Sequence, residues 1–218
     1  MDVQFFLDVF PKILEGLTLT LSLFLWTLLF STFLGLVLAL MRLSPIPPLR
    51  WVSAVYGWLL RGIPLLLLLF YVFFALPEFG DFFILSPFRS AVLGLTLWTA
   101  SYQSEAIRSG IISVEKGQYE ASEALGMSRA HQMRKIILPQ SVRIIAPPFT
   151  GNAINALKQT SLATVITVAE MTGITRGIIS STFQTVEPLF ALALVYLALT
   201  TVLVFAQSGL ERVFRLKT

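Results

Sequence analysis

Tyr119 to Pro139 reads YEASEALGMSRAHQMRKIILP, and its reading decides the fold. Glu120, Glu123, Arg129, Arg134 and Lys135 crowd together here, between two strongly apolar parts of the chain. Ala121, Ala124 and Leu125 fall at spacings that share one helical face, and Glu120 and Glu123 stand one turn apart. Gly126 is placed to stop that helix, because it reaches the left-handed region without a Cβ penalty. Ser128 is a candidate N-cap for a second short helix toward Ile137, and Pro139 is expected to bar its continuation. The stretch therefore predicts a small helix-turn-helix outside the bilayer. Periodicity alone favours the plainer reading, a cytoplasmic loop helix that packs on the protein's own surface.

The pattern Glu120-Ala121-Ser122, then Gly126, then Ile136-Ile137-Leu138-Pro139 resembles the EAA loop of ABC importer permeases. Ser122 stands where that family most often has alanine. Arg61-Gly62-Ile63-Pro64, Glu105 to Gly110, Gly117-Gln118, Leu138-Pro139-Gln140 and Leu157 to Leu162 extend the resemblance to the polar amino-acid branch, over nearly the whole chain. The resemblance implies an all-α membrane protein of the type I importer kind. It also implies one permease domain over 1–218 and a cytoplasmic coupling loop at about 109–143. Glu120, Ala121, Ser122, Ala124, Leu125 and Gly126 would then dock on a separate ATPase subunit. The further implied partners are an extracytoplasmic solute-binding protein, a second permease copy or paralogue, and a small solute such as a polar amino acid.

Composition supports the membrane part of this reading independently. The chain is 56% hydrophobic and 13% charged, too little polar surface to cover a soluble core of 218 residues. Cysteine is absent, which excludes disulfides, thiolate metal sites and cysteine nucleophiles. The formal charge is +4, but the basic residues flank apolar segments instead of forming one basic face. That distribution suits membrane orientation and not nucleic acid.

The apolar runs predict about five spans. Leu17 to Met41 is the first, and its Thr20, Thr27 and Ser31 suit a helix packed on other helices. Before it, Met1 to Glu15 reads as an amphipathic helix along the outer interface, not a cleaved signal. Arg42 to Arg50, with Pro45, Pro47 and Pro48, reads as a stiff non-helical turn. Val52 to Leu76 is the second span, kinked at Pro64. Phe88 to about Ser104 is the third, and Ile144 to about Val168, opened by Pro147-Pro148, the fourth. Glu170 to Glu187 reads as an outer loop with a short helix, and Leu189 to Ala206 as the last span, followed by a charged tail. An outside N-terminus puts Arg42, Arg50, Arg61, Arg108, Lys116 and the loop and tail cations inside. Only Lys12, Arg89 and Arg176 remain outside, as the positive-inside rule requires. The expected location is the cell inner membrane, with the C-terminus cytoplasmic.

No stretch reads Gly-x4-Gly-Lys-Ser/Thr, so the chain is not expected to bind ATP, and ATP-Mg would sit on the partner. His131 stands alone, without ligands at metal spacing, and no serine has a histidine partner, so neither a metal site nor an enzyme is expected. Lys158 is different. A cation within a span is costly unless paired or facing water. Lys158-Gln159-Thr160-Ser161-Leu162 resembles the Lys-Asp-Thr-Ser-Leu segment of polar amino-acid permeases, which implies a place near the translocation path. Gln159 replaces the usual acid. Lys158 either attracts a substrate carboxylate or pairs within its own protein. Arg61 either snorkels or, with Pro64 and the Glu105–Arg108 pair, organises the loop. A channel or secondary transporter is the competing class, although no internal repeat of the kind such carriers use is evident.

Overall fold

The computed structural model describes residues 2–214, with side chains through residue 210; the C-terminal charges at Arg212, Arg215 and Lys217 lie outside the described side chains. Every regular element among the described residues is helical. Helix α1 spans Val3–Leu14, α2 Leu17–Leu43, α3 Pro47–Gly62 and α4 Leu65–Phe70, the last running on through a π turn, Tyr71–Ala75, and a 3-10 turn, Leu76–Phe79. Then follow α5 Pro87–Ile112, α6 Lys116–Ala124, α7 Arg129–Gln132, α8 Leu138–Gln159, a 3-10 segment Thr160–Ile166, α9 Met171–Thr182 and α10 Val186–Phe214.

Helices α2 and α5 form the most extensive pair. Thr20, Leu23, Thr27, Ser31, Gly35 and Leu38 recur every three or four residues on α2 and are buried. Leu25, Leu29, Phe33 and Leu36 point away and stay exposed, the side suited to lipid. Gly35 permits the close approach: a Cβ there would stand 2.9 Å from Gln103 Cβ. At the opposite end of α2, Ile13, Met171, Ala191, Leu192 and Val195 join α1 to α9 and α10. Asp2 caps α1 by accepting from Phe5 N, and its own N–H donates to Glu187 Oε1 at 2.7 Å.

Proline placement departs from expectation in three places. Pro47 and Pro48 occupy the first turn of α3, where their missing donors have no helical partner, so the non-helical link is shorter than Arg42 to Arg50. Pro64 breaks the second span outright. Ile63 is extended, as a residue before proline is pushed to be, and the segments on either side meet at 104°. Pro139 does not end the loop helix: a π turn, Met133–Ile137, widens the backbone just before it, and α8 continues through. The fourth expected span is thus part of α8, which starts at Leu138 and not Ile144, with Pro147 and Pro148 inside it. Thr150 Oγ1 donates to Ala146 O and Pro147 O, giving carbonyls at this disturbed turn a partner.

Two described helices, Leu17–Leu43 and Val186–Leu210, are long and apolar enough to cross a membrane, and there are up to four crossings if each bent pair is one span. Helix α5, 26 residues long, is about 39 Å. Its composition falls short because Ser90, Thr96, Thr99, Ser101 and Gln103 are polar, but all five are covered by protein instead of facing outward.

Candidate functional site

The charged loop folds as α6 and α7 on a base made by Ala39, Ile107, Ile111, Val114 and Ile137. Tyr119 fastens α6 to α5 by donating to Ile111 O at 3.2 Å, and burial pushes its phenol pKa up. Helix α6 ends in paired reverse-turn bonds: Gly126 N to Glu123 O at 2.9 Å and Met127 N to Ser122 O at 3.1 Å. Gly126 has φ +73°, the left-handed conformation this turn needs. Ser128 caps α7 by accepting from His131 N.

This geometry divides the loop residues into two sets. Glu120, Ala121, Ala124, Leu125 and Gly126 are exposed, and Leu125 is 81% exposed, an apolar side chain presented at the helix end. Ser122 is turned inward and only 3% exposed. Its hydroxyl donates to Gln118 O and Tyr119 O and accepts a short bond from Gln132 Nε2, which also reaches Tyr119 O at 2.8 Å. Ser122 therefore locks α6 to α7 and presents nothing outward. Gln132, 5% exposed, lies inside the loop stretch but outside the Glu-Ala-Ser pattern, so nothing in the sequence marks it.

Glu105 and Arg108 are paired, as their spacing predicts. Arg61 Nη1 lies 3.8 Å from Glu105 Oε2, and its Nε donates to Gly57 O at 2.9 Å. Arg61 thus makes a contact across helices α3 and α5 immediately before the Pro64 break. Arg42 lines the same small cleft, a neighbour that sequence separation hid.

The other candidate region is the break after α8. Thr167 adopts φ +66°, ending the 3-10 segment, and α9 leaves at 48° to the α8 direction. Glu170, fully buried, caps α9 by accepting from Gly173 N at 3.0 Å. Its second oxygen accepts from Thr20 at 3.3 Å and from Tyr196 at 3.1 Å, and the Tyr196 hydroxyl lies 3.4 Å from Thr160 Oγ1. One carboxyl group and one phenol therefore join α2, α9, α10 and the 3-10 segment. Neither Glu170 nor Tyr196 stands near a motif, so sequence alone did not mark them. Lys158 and Ser161 make no described hydrogen bond to Glu170 or Tyr196, but Tyr196 of the knot shares a cavity wall with them. They line a cavity of about 350 Å³ with Thr172, Leu192 and Tyr196, and Lys158 is exposed to it with no ion pair among the described residues. Thr160 points inward and Gln159 is half-buried, so of the four segment residues only Lys158 and Ser161 line this cavity.

Comparison with known proteins matches this architecture. The family of binding-protein-dependent transport system inner membrane components matches residues 31–216. The probable amino-acid ABC transporter permease protein PatM of Vibrio harveyi is 36% identical over 218 residues, covering 98% of each chain. The arginine transport system permease protein ArtQ of Bacillus subtilis (strain 168) is 34% identical over 212 residues, covering 97% of this chain and 96% of that one. Among solved structures, that of an amino acid ABC transporter with histidines superposes with a TM-score of 0.91 at 32% identity, covering 97% of this chain and 98% of that chain. A methionine ABC transporter, MetNI, shares the fold at a TM-score of 0.74 and 18% identity, covering 99% of this chain and 100% of that chain. Matched along nearly its whole length in sequence and fold, the chain belongs to the binding-protein-dependent transport system inner membrane component family, as an ABC importer permease subunit.

Proposed function

We propose that this permease subunit moves an amino acid inward, driven by a separate ATPase that docks on α6 and supplied by an extracytoplasmic solute-binding protein. The observation that carries the reading is the presented end of α6, where Ala121, Ala124 and exposed Leu125 form an apolar knob in a charged loop. An exposed apolar anchor on a stiffened turn is what a partner's pocket recognises. Relatives described as amino-acid permeases support the solute class. A second copy or paralogue completes the pathway, and about five spans place the N-terminus outside and the C-terminus in the cytoplasm.

On this reading Lys158 meets the solute's carboxylate. Lys158→Met keeps the apolar stem and removes the charge and its donors. The loss of a charge-assisted hydrogen bond is worth about 1.5–3 kcal/mol, roughly a tenfold to hundredfold drop in apparent affinity. Uptake of anionic, neutral and cationic amino acids into proteoliposomes holding the whole complex measures it. Parental kinetics for every solute would make Lys158 a structural charge, and uptake without ATP would remove the ATPase from the reading.

Orientation is tested by single cysteines, since the chain has no native one. Gln4, His131 and Gln184 are all exposed and suit labelling. An impermeant thiol reagent on intact cells is expected to modify the cysteines at 4 and 184 and to spare that at 131. Labelling at 131 from outside reverses the topology and denies an internal ATPase its docking surface.

A further inference from the structure

Beyond the cavity at Lys158 lies a second, of about 260 Å³, on the neighbouring side of the α9 entry. It is lined by Thr164 and Thr167 from the 3-10 segment and by Gly173, Arg176, Gly177 and Ser180 from α9. Those α9 residues are spaced i, i+3, i+4 and i+7, so one helical face forms the wall. Arg176 is exposed to this space and has no acidic partner among the described residues. The first turn of α9 contributes to both cavities, Thr172 to one and Gly173 to the other.

What joins them is the 3-10 geometry. With three residues per turn, side chains at i and i+3 stand above one another. Ser161 and Thr164 obey that spacing inside the 3-10 segment, while Lys158 lies at the end of α8 and Thr167 closes the segment in a left-handed turn. Lys158 and Ser161 line the first cavity, and Thr164 and Thr167 the Arg176 cavity. The column from Ser161 to Thr164 climbs one 3-10 turn, roughly 6 Å. Ser161 donates to Lys158 O at 2.8 Å, whereas Thr164 and Thr167 engage no described side chain or carbonyl through their hydroxyls. An α-helix at this point would have turned Ser161 and Thr164 about 60° apart around its axis.

We propose that Arg176 and Lys158 are two stations for one carboxylate-bearing solute, joined by the hydroxyls of Ser161, Thr164 and Thr167. Arg176 captures the carboxylate first, the hydroxyls replace part of its hydration along the column, and Lys158 receives it. The inference rests on the reading of Lys158 as a carboxylate partner.

The test uses the complete complex in proteoliposomes, with its ATPase and solute-binding protein, and L-arginine, L-glutamine and L-glutamate as probes. Arg176→Gln is expected to slow uptake roughly tenfold, the scale of one lost charge-assisted bond. The double variant Thr164→Val and Thr167→Val keeps volume, removes both hydroxyls, and is expected to slow uptake about fivefold. ATP hydrolysis stimulated by the binding protein should stay parental in both. Gly177→Cys gives a readout independent of these variants, because a Cβ there meets nothing within 4 Å. Its labelling by a thiol reagent should slow in the presence of a transported amino acid and not of its α-amide. Parental uptake in Arg176→Gln and the double variant, beside an impaired Lys158→Met, overturns the column and leaves the Lys158 site standing. Parental uptake in Lys158→Met as well overturns the site itself. Stimulated ATP hydrolysis that falls together with uptake assigns Arg176 to docking of the binding protein and also overturns the proposal, as does equal protection of Gly177→Cys by acid and amide.

Discussion

Ala121→Arg and Leu125→Asp are each expected to reduce ATP-driven uptake about a hundredfold or more, while the chain still inserts and the isolated ATPase still binds ATP. Both positions are exposed, so neither change disturbs the protein's own core. Each would place an unpaired charge in the packed centre of a docking contact, where desolvation costs about 3 kcal/mol or more. Gly126→Val reaches the same contact by another route. No atom lies within 4 Å of a Cβ at that position, so the effect is on the backbone alone: φ +73° costs a β-branched residue about 1–2 kcal/mol. The turn would relax, the bonds from Gly126 N and Met127 N would weaken, and Leu125 would lose its fixed direction. A smaller loss, roughly tenfold, is expected there. Co-purification of the ATPase and uptake in proteoliposomes measure both effects. Full transport with normal ATPase recovery in all three variants would show that α6 is only a surface helix.

Gly16→Val is expected to prevent correct assembly of the helices. Gly16 joins α1 to α2, and a Cβ there would stand 2.5 Å from Met171 N and 2.8 Å from the Glu170 carbonyl carbon. These are backbone atoms at the start of α9, which cannot rotate aside as a side-chain tip would. Forcing them apart would also separate Thr20 from Glu170 and from Met171 N, which it meets at 3.3 Å in each case. The buried carboxyl would lose a partner, adding to an overpacking cost of about 1–3 kcal/mol. Gly117→Ala is the control, since Gly117 lies in a helix with open space around it. The measurement is the thermal transition and proteolytic resistance of the detergent-solubilised complex. A Gly16→Val protein with the parental transition temperature would mean that the close approach of α1–α2 to the Glu170 turn does not hold the fold together.

The helical membrane character of this chain and the division of its loop were legible because each depends on short-range pattern. Apolar runs reveal spanning helices through a property of the segment itself. Gly126 and Ser128 mark turn and cap because one residue's conformation or one hydroxyl decides each. Proline was less legible: Pro139 reads as a stop until the π turn before it is seen, and Pro64 reads as a kink until Ile63 proves extended. In both cases the neighbouring backbone, not the proline, chose the outcome.

What only the tertiary structure decided is which polar groups meet. Helix α5 is a poor membrane segment by composition, and it is the central helix because its polar residues are covered by neighbours. Ser122 sits in the most recognisable motif yet points inward to Gln132, ten residues away. Glu170 finds Thr20 across 150 positions and Tyr196 across 26. Sequence specifies that a buried carboxyl needs donors, because leaving it unsatisfied is costly, but several hydroxyls along the chain could serve. The choice among them belongs to the packing of α2, α9 and α10, and Ser161 stands over Thr164 because the backbone there tightens from 3.6 to three residues per turn.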